Sequence, residues 1–520
     1  MATDAAQFAV DVFRAQACDR GEQAALHFNG HTTSYAALDR RSNSVAQALL
    51  ADGVLAGDRI AVLTRNCAHF FEVLAGTAKI RACLAPINFR LATVEIAFIL
   101  ADMAPTLMFV SKEFLAVATE AASILPCPLR LIVLDADASR HEAYARWRDA
   151  APAKDPALQP APGDDLLLLY TSGTTGHPKG VRLTNLNYQC FLGAITDVPG
   201  FSYGAGETVF STMPLFHVAG INVGMAGLAQ GCTVVLVSDF VARDFLRVME
   251  QSRANHAFLA PSMIVALLQT PEVAKTDFSS LKVIAYGSAP IAAESLCAAR
   301  ARFGCEFAQL YGMTESTGAG TYLSPSAHML PGKQGSCGVP WPGLEIRIVD
   351  PQGHSVAGGE VGELVMSGGF VTPGYRNRPE ASADAIRDGW LHTGDAGYFD
   401  ADGYLFIHDR MKDMIVTGGE NVFPAEVENA IFGCPGVADV AVIGIPSGRW
   451  GEEVKAVVVA VPGATLDARE VIAWAKDRIA SYKAPKSVDF VAALPRNAAG
   501  KILKRELRKP YWEGRKRQVN

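Results

Sequence analysis

Short apolar runs alternate with stretches of helical period along the first quarter of the chain. Between about residues 30 and 137 the apolar runs predict buried strands at Arg59–Leu63, Leu84–Ile87, Leu107–Val110 and Leu131–Leu134. The stretches between them predict helices at Tyr35–Leu50, His69–Lys79 and Thr93–Ala101. Strands that alternate with helices are typical of a layered α/β sheet. Residues 149–165 are rich in Pro, Gly and Ala and predict a linker.

A second α/β unit follows the linker, beginning with a predicted buried strand at Leu166–Tyr170. From about residue 338, short strands separated by Gly, Pro and Asp turns predict a small antiparallel β unit. After Arg410 the pattern is α+β, with helices predicted at Glu426–Phe432 and Ala468–Ile479. We therefore expect an α/β fold with a small β unit. Its large N-terminal domain would span residues 1–410, with subunits at about 1–165, 166–337 and 338–410, and an α+β C-terminal domain would span 411–520.

Composition narrows the class of protein. Of the 520 residues, 49% are hydrophobic and 19% are charged, which excludes a disordered chain and a small disulfide scaffold. The formal charge of −6 argues against a dedicated nucleic-acid binder. The ten cysteines form no C-x-x-C pair and are interpreted as buried thiols in a reducing compartment. The N-terminus lacks the pattern of a secretory signal, so the expected location is the cytoplasm.

One segment, residues 211–238, contains no Lys, Arg, Asp or Glu and is long enough to cross a bilayer. Polar and helix-breaking residues such as Pro214, His217 and Asn222 interrupt it. We therefore expect a buried loop, helix and strand here, and no membrane span.

The most informative segment follows the predicted strand Leu166–Tyr170 and contains hydroxyl groups, glycines and a lysine: Thr171, Ser172, Gly173, Thr174, Thr175, Gly176 and Lys179. Glycines allow backbone N–H groups to approach an anion, hydroxyls add hydrogen bonds, and Lys179 adds a positive charge. This composition predicts a polyphosphate-binding loop. No G-x-x-x-x-G-K-[ST] pattern is present, which disfavours a P-loop NTPase.

From this loop onward the sequence resembles the superfamily of adenylate-forming enzymes, which includes acyl-CoA synthetases, peptide-synthetase adenylation domains and firefly luciferase. Six motifs carry the resemblance, in the order and spacing of the superfamily and over essentially the whole chain: the phosphate loop, residues 311–315, residues 392–395, Asp409-Arg410, residues 418–421 and residues 495–501. The resemblance implies a large N-terminal domain and a mobile C-terminal domain. It also implies a two-step reaction, in which a carboxylate attacks the α-phosphorus of ATP and a thiol then displaces AMP.

The resemblance also implies roles for residues at the ATP site. Glu315 would hold Mg²⁺, Thr314 would donate its hydroxyl to the α-phosphate, and Tyr311 would pack on adenine. Gly312 and Met313 complete that motif, and the adenine and acyl pockets would be lined by Gly287, Ser288, Ala289 and Pro290. Asp395 would accept hydrogen bonds from the ribose hydroxyls, and Arg410 would reach the same sugar. Carboxylate ligation of Mg²⁺ and charge neutralisation on phosphate oxygens are what nucleotidyl transfer needs.

In the C-terminal domain, Lys501 matches the catalytic lysine that bridges the substrate carboxylate and the α-phosphate. The Gly418-Gly419 loop matches the segment that guides the thiol. The two loops belong to different faces of one small domain, so the domain must rotate between the half-reactions. Lys412 matches the hinge position, where a few residues absorb the change in backbone angles.

Three interpretations of the acceptor follow: free CoA, the pantetheine of a carrier protein, or no thiol, as in an oxygen-using luciferase. Trp450 resembles the residue that stacks on the CoA adenine, and Tyr482 resembles its second wall. Aromatic stacking beside cations suits a phosphorylated nucleotide. The expected ligands are thus ATP, Mg²⁺, CoA and a small carboxylic acid, without nucleic acid and without a transmembrane segment, and a homodimer is an allowed assembly.

The acyl pocket is expected along Met213–Gly220, with Phe216, Ala219, Gly220 and Leu310 as lining residues and His217 as a gate towards the thiol tunnel. These stretches contain no Arg or Lys, so a second carboxylate on the substrate would lack a counter-charge. Leu310 stands where several superfamily members have glycine. The predicted substrate is a medium- or long-chain fatty acid, with phenylpropenoic acids such as ferulate as the alternative. A hypothesis of another class is a catalytically silent nucleotide or acyl sensor on the same fold.

Overall fold

A computed structural model describes residues 8–135, 142–171, 178–289, 291–410, 413–417, 420–496 and 502–513. Within these ranges the α-helices are α1 (Ala9–Arg20), α2 (Tyr35–Ala51), α3 (His69–Lys79), α4 (Thr93–Met103), α5 (Leu115–Ser123), α6 (Tyr144–Asp149), α7 (Asn185–Ala194), α8 (Val218–Ala229), α9 (Ala242–Gln251), α10 (Pro261–Gln269), α11 (Ala293–Phe303), α12 (Pro379–Ala385), α13 (Pro424–Phe432), α14 (Ala468–Lys476) and α15 (Lys504–Trp512).

The strands of the first half are β1 (Ala24–Phe28), β2 (His31–Ser34), β3 (Arg59–Leu63), β4 (Cys83–Pro86), β5 (Leu107–Val110), β6 (Arg130–Val133), β7 (Glu142–Ala143), β8 (Asp165–Thr171), β9 (Lys179–Thr184), β10 (Thr208–Ser211), β11 (Thr233–Leu236) and β12 (His256–Leu259). The strands of the second half are β13 (Val283–Gly287), β14 (Glu306–Gly312), β15 (Gly320–Leu323), β16 (Val339–Pro340), β17 (Glu345–Val349), β18 (Gly362–Ser367), β19 (Ile386–Arg387), β20 (Trp390–Phe399), β21 (Leu405–Arg410), β22 (Ile415–Thr417), β23 (Glu420–Val422), β24 (Val437–Ser447), β25 (Gly451–Ala460) and β26 (Ser487–Phe490).

Local signals in the sequence explain where several helices begin. The hydroxyl of Ser34 accepts a hydrogen bond from the Ala37 N–H at the start of α2, and Thr184 caps α7 in the same way. Asp467 and Glu470 form a capping box at the start of α14. Such caps satisfy backbone N–H groups that have no partner inside the helix.

Two large sheets form most of the molecule. The seven-stranded sheet has the order β7-β6-β5-β3-β4-β8-β9, and the nine-stranded sheet has the order β16-β15-β14-β13-β12-β10-β11-β1-β2. Most neighbouring pairs in both are parallel, while β8 and β9, β14 and β15, β15 and β16, and β1 and β2 are antiparallel. The expected α/β class is confirmed.

The sheets do not follow the division expected at about residue 165. Strands β8 and β9 pair with the earlier strands through β4, whereas β1 and β2 join the nine-stranded sheet through β11. Periodicity identifies a strand but not its partner, and both pairings join segments distant in the sequence. The domain boundaries themselves, at about residues 337 and 410, stay predictions.

The largest apolar cluster lies between the two large sheets, where α3 meets α8. At Gly224 of α8 an added Cβ would lie 2.2 Å from Cζ of Phe71 in α3, so only glycine allows this approach. Helices α9, α10 and α11 cover the other face of the nine-stranded sheet, and α4 and α5 cover that of the seven-stranded sheet.

The uncharged segment 211–238 is a loop, the twelve-residue helix α8 and strand β11, as expected. It is uncharged because it is buried between the sheets. Across the ranges that the structure describes, helices with the length and apolar character of a bilayer span are absent.

Two smaller sheets complete the fold. The first has the order β17-β18-β20-β19 with β21 paired to β20, and the second has the order β23-β22-β25-β24 with β26 paired to β25. Helix α15 begins at Lys504 and continues through Pro510 to Trp512.

Candidate active site

The two ends of the predicted phosphate loop face each other in the β8–β9 hairpin. Thr171 is paired with Lys179 in the antiparallel register, and Tyr170 is paired with Gly180. The predicted loop residues Ser172, Gly173, Thr174, Thr175 and Gly176 lie outside the described residues. The hairpin therefore places Lys179 at the base of the loop, next to the last strand residue before it.

A second turn faces this hairpin. Thr314 and Glu315 form a short 3₁₀ turn after β14, and both are buried, Glu315 with 8% of its surface exposed. The O–H of Tyr375 donates to Oε1 of Glu315 at 3.0 Å, and the Nζ of Lys179 lies 5.0 Å from the centre of the Tyr375 ring. Tyr375 thus joins the predicted phosphate lysine to the predicted metal ligand.

The motifs of the sequence did not point to Tyr375. The segment 372–376 runs along β9, since Arg376 N–H donates to Gly180 O at 2.8 Å and the Thr372 hydroxyl donates to Arg182 O at 2.6 Å. The Thr372 N–H also donates to Glu315 O at 2.8 Å. These contacts join segments far apart in the sequence, and a tyrosine after a Pro-Gly turn is not a distinctive signal.

The predicted adenine and ribose residues come together beside this turn. The O–H of Tyr311 donates to Oδ2 of Asp395 at 2.6 Å, and Asp395 is buried. Asp395 on β20 is paired with Arg410 on β21 in the antiparallel register. The structure therefore brings Tyr311 and Asp395, to which the resemblance assigns adenine and ribose, into direct contact.

The backbone geometry at the end of β13 requires a small residue at Gly287. At Gly287 an added Cβ would lie 2.3 Å from Leu310 O, so a larger residue would push the two strands apart. Ser288 follows with a φ of +69°, a left-handed conformation that a non-glycine residue adopts at a cost of about 1–3 kcal/mol. Ser288 is exposed and Ala289 is half-buried, and Pro290 lies outside the described residues. A strained, open strand end of this kind is typical of a binding site.

The predicted acyl wall lies at the start of α8. At Gly220 an added Cβ would lie 2.3 Å from Pro214 O and 2.6 Å from Met213 O. The side chain of Asn222 donates to Thr317 O at 2.7 Å and so ties α8 to the turn that carries Glu315. Ala219 is half-buried, and Leu310 is buried in the core between the sheets, beside Gly200.

His217 caps α8. Its Nδ1 accepts a hydrogen bond from the Ala219 N–H at 3.3 Å, which leaves the proton of the neutral ring on Nε2. Burial lowers the pKa of His217 to about 4, so the ring is uncharged near neutral pH. A neutral imidazole suits an apolar wall better than a cation does.

Phe216 has a charged neighbour that the sequence did not indicate. Its ring meets Phe89 edge-on at 5.4 Å, and the Arg90 guanidinium lies 6.0 Å from the centre of the Phe216 ring. Arg90 also forms an ion pair with Asp239 at 3.0 Å, which offsets its charge. The wall segment itself contains no charged residue, but Arg90, which is paired with Asp239, lies next to the ring of Phe216.

The residues predicted to bind CoA lie in connections beside the small C-terminal sheet. Trp450 is in the β24–β25 connection, Tyr482 is in the α14–β26 connection, and each is 42% exposed. The Arg449 guanidinium stacks on the Trp450 ring at 4.5 Å. No ring contact joins Trp450 and Tyr482 within the described part of the chain, and the predicted residues Lys412, Gly418, Gly419 and Lys501 lie outside it.

Comparisons with known proteins identify the family of the chain. Residues 13–376 match the model of the AMP-binding enzyme family, and residues 426–501 match that of the AMP-binding enzyme C-terminal domain. A fatty acid–[acyl-carrier-protein] ligase of Streptomyces coeruleorubidus is 37% identical over 94% of each chain. A feruloyl-CoA synthase of an Amycolatopsis species is 40% identical over 94% of this chain and 96% of that one.

Among solved structures, ATP-bound MatB from Rhodopseudomonas palustris superposes with a TM-score of 0.88 at 29% identity, over 97% of this chain and 99% of that one. The expected adenylate-forming superfamily is confirmed by both family models and by the full-length relatives. The chain belongs to the AMP-binding enzyme family, and it is an AMP-forming ligase of the acyl-ligase type.

Proposed function

We propose that the protein is an acyl-CoA synthetase that activates a hydrophobic carboxylic acid. The carboxylate would attack the α-phosphorus of ATP, form an acyl-adenylate and release pyrophosphate. The thiol of CoA would then attack the acyl carbon and release AMP. One observation carries the proposal: the uncharged wall Met213–Gly220 is held beside the turn that carries Glu315, through the hydrogen bond from Asn222 to Thr317.

The residues at the ATP end fit a magnesium–nucleotide complex. The described residues include no group of three or more His, Cys, Asp or Glu that could hold a metal by themselves. Glu315 supplies one buried carboxylate, and Mg²⁺ is usually held by one or two carboxylates together with substrate phosphates. Bound there, the ion would neutralise charge on phosphate oxygens, while Lys179 would add a second positive charge.

At the nucleoside end, Tyr311 would pack on adenine and Asp395 would accept the ribose hydroxyls. Their mutual hydrogen bond at 2.6 Å keeps the ring and the carboxylate in fixed positions before ATP binds. Such preorganisation lowers the entropic cost of placing the α-phosphorus near the acid. Lys501, Gly418, Gly419 and Lys412 keep the catalytic, thiol-guiding and hinge roles that the resemblance implies, and the C-terminal family model extends to Lys501.

The acceptor is proposed to be CoA. An exposed Trp450 with Arg449 over its ring is a platform suited to the adenine and phosphates of CoA. A carrier protein is the competing acceptor, because one relative is a fatty acid–[acyl-carrier-protein] ligase. Thioester formation with CoA and with a pantetheine-bearing carrier protein, measured side by side, distinguishes the two acceptors.

The acid is proposed to be a medium- or long-chain fatty acid. The wall offers burial and little hydrogen bonding, so discrimination should follow the apolar area removed from water. Each methylene that enters the pocket should add about 0.8 kcal/mol, or roughly fourfold in kcat/KM per carbon, until the pocket ends. A phenylpropenoic acid is the second candidate, supported by the 40% identity to a feruloyl-CoA synthase.

The experiment compares nonanoate with cinnamate, which have equal carbon numbers, by acid-dependent exchange of pyrophosphate into ATP. A preference for nonanoate, with rates that rise with chain length, supports the fatty-acid assignment. A preference for cinnamate transfers the assignment to an aryl-CoA ligase and leaves the adenylation chemistry in place. Absence of exchange across a broad acid panel would favour the sensor hypothesis.

A further inference from the structure

Asn66 is a buried asparagine in the connection between β3 and α3, with 3% of its surface exposed. Its Nδ2 donates to Met213 O at 3.1 Å, and its Oδ1 accepts from the Leu215 N–H at 2.8 Å. Its own main-chain N–H donates to Ser238 O at 3.3 Å. One residue of a connection that follows a strand of the seven-stranded sheet thus binds two connections that follow strands of the nine-stranded sheet.

The loop that Asn66 binds needs partners from outside itself. Met213 and Leu215 are buried, and buried backbone N–H and C=O groups are costly without hydrogen bonds. Pro214 lies between them and has no N–H to donate. Its carbonyl accepts from the His217 N–H at 3.0 Å and so closes the turn that leads into α8. Asn66 donates one hydrogen bond to the residue before that proline and accepts one from the residue after it.

Neighbouring contacts anchor the same region. Arg65 forms an ion pair with Asp239 at 2.8 Å, next to the Ser238 carbonyl that Asn66 contacts. Arg90 pairs with the same carboxylate and faces the ring of Phe216. The main chain of the acyl wall is therefore held by Asn66, and the ring of Phe216 is held by the residues beside it.

We propose that Asn66 is a positioning residue for the acid pocket, which it controls through the main chain of Met213 and Leu215 and hence the placement of Phe216 and His217. The proposal rests on the function proposed above, because it takes the Met213–Gly220 wall as the acid site. Asn66 itself contacts neither the acid nor ATP. Removing the hydrogen bonds of the Asn66 side chain should displace the wall without moving Glu315 or Asp395.

The test uses Asn66→Asp and Asn66→Ala in the full-length protein. Aspartate keeps the shape and the acceptor for the Leu215 N–H but places an oxygen against Met213 O, whereas alanine removes both hydrogen bonds. Asn255 provides a matched control. Its Oδ1 accepts from the Thr208 N–H at 2.9 Å and its Nδ2 donates to Ser280 O at 3.1 Å, at the beginning of β10, whereas the wall follows the end of that strand.

Steady-state pyrophosphate exchange gives KM for the acid and KM for ATP separately, and thermal unfolding gives Tm. The Asn66 variants should raise KM for the acid by about tenfold or more, because a displaced wall buries less of the apolar surface of the acid, and leave KM for ATP nearly unchanged. The Asn255→Asp and Asn255→Ala variants should lower Tm without raising KM for the acid relative to KM for ATP. Chain-length preference should also flatten in the Asn66 variants only.

A parallel rise of both KM values, or an equal acid effect in the Asn255 variants, would overturn the proposal. Asn66→Ser, which keeps a small polar side chain, is added in case the other two variants fold poorly. Loss of the fold in all three Asn66 variants, with the Asn255 variants intact, would assign Asn66 a structural role and also overturn it. Failure of the proposed function would be distinct, because the wild-type enzyme would then activate none of the acids.

Discussion

Tyr375→Phe isolates one hydrogen bond at the centre of the candidate active site. The change removes the O–H that donates to Oε1 of Glu315 at 3.0 Å. It keeps the ring that faces the Nζ of Lys179 at 5.0 Å, and it keeps the backbone pairing of Tyr375 with Val181. The variant therefore tests the orientation of Glu315 with little other disturbance.

The size of the effect follows from the charge and burial of the acceptor. A hydrogen bond to an ionised group contributes about 1.5–3 kcal/mol, which corresponds to roughly 10- to 150-fold in rate or affinity. Glu315 is 8% exposed, so water replaces the lost donor only in part. We expect a loss in this range for adenylation at fixed Mg²⁺, and a higher Mg²⁺ concentration for half-maximal activity.

The assay is acid-dependent pyrophosphate exchange with Mg²⁺ as the varied component, in a cycle of Tyr375→Phe, Glu315→Gln and the double variant. If Tyr375 acts through Glu315, the double variant should be no slower than Glu315→Gln alone. Tyr144→Phe is the control, because the Tyr144 O–H also donates to a buried carboxylate, Oε2 of Glu72, at 2.8 Å. Effects of Tyr375→Phe and Glu315→Gln that simply add would refute the reasoning.

Three further predictions concern other parts of the molecule. Lys501→Ala should slow adenylation by at least about 10²–10³-fold, as expected for the loss of one preorganised donor. Thioester formation from supplied acyl-adenylate should continue, and an equal loss in both steps would contradict the catalytic role of Lys501. Trp450→Ala should raise the KM for CoA by about 5- to 150-fold, which corresponds to the loss of one stacking interaction with adenine, and should leave adenylation unchanged. An unaltered KM for CoA would show that Trp450 is a surface aromatic residue without a role in CoA binding. His217 has a pKa lowered to about 4 in the folded state, against about 6.5 when unfolded, so its contribution is complete above pH 6.5 and is lost as the pH falls towards 4. Urea unfolding at pH 7 and pH 5 should show wild type losing up to about 2 kcal/mol more than His217→Gln, and parallel losses would count against a ring that is neutral in the folded state.

Local patterns predicted the elements well because each is dictated by nearby residues. Strands Arg59–Leu63 and Leu107–Val110 and helix His69–Lys79 have the bounds that the apolar spacing predicts. The family was also predictable, because each motif that carries the chemistry is a short contiguous segment of the sequence. Residues 211–238 were correctly expected to be buried because polar and helix-breaking residues interrupt the apolar run.

Pairings over long distances could not be predicted in this way. Strand β1 joins the nine-stranded sheet beside β11, although some two hundred residues separate them. Tyr375 reaches Glu315 only because its segment runs along β9. Arg90 reaches Phe216 because the connections that follow β4 and β10 meet. None of these contacts has a local signal, since each depends on how distant strands are ordered.

The arrangement of the sheets places such contacts at the proposed site. Strands β10, β13 and β14 belong to one largely parallel sheet, so their carboxyl ends lie along one edge and place the acyl wall, Gly287 and Glu315 in a row. The phosphate loop comes from the β8–β9 hairpin of the other sheet. Asn66 at the acyl wall and Tyr375 at Glu315 both form hydrogen bonds across this boundary. Under the proposed function, the relative position of acid and ATP depends on residues between the sheets, and substitutions there should change substrate KM values even where the side chain touches no substrate.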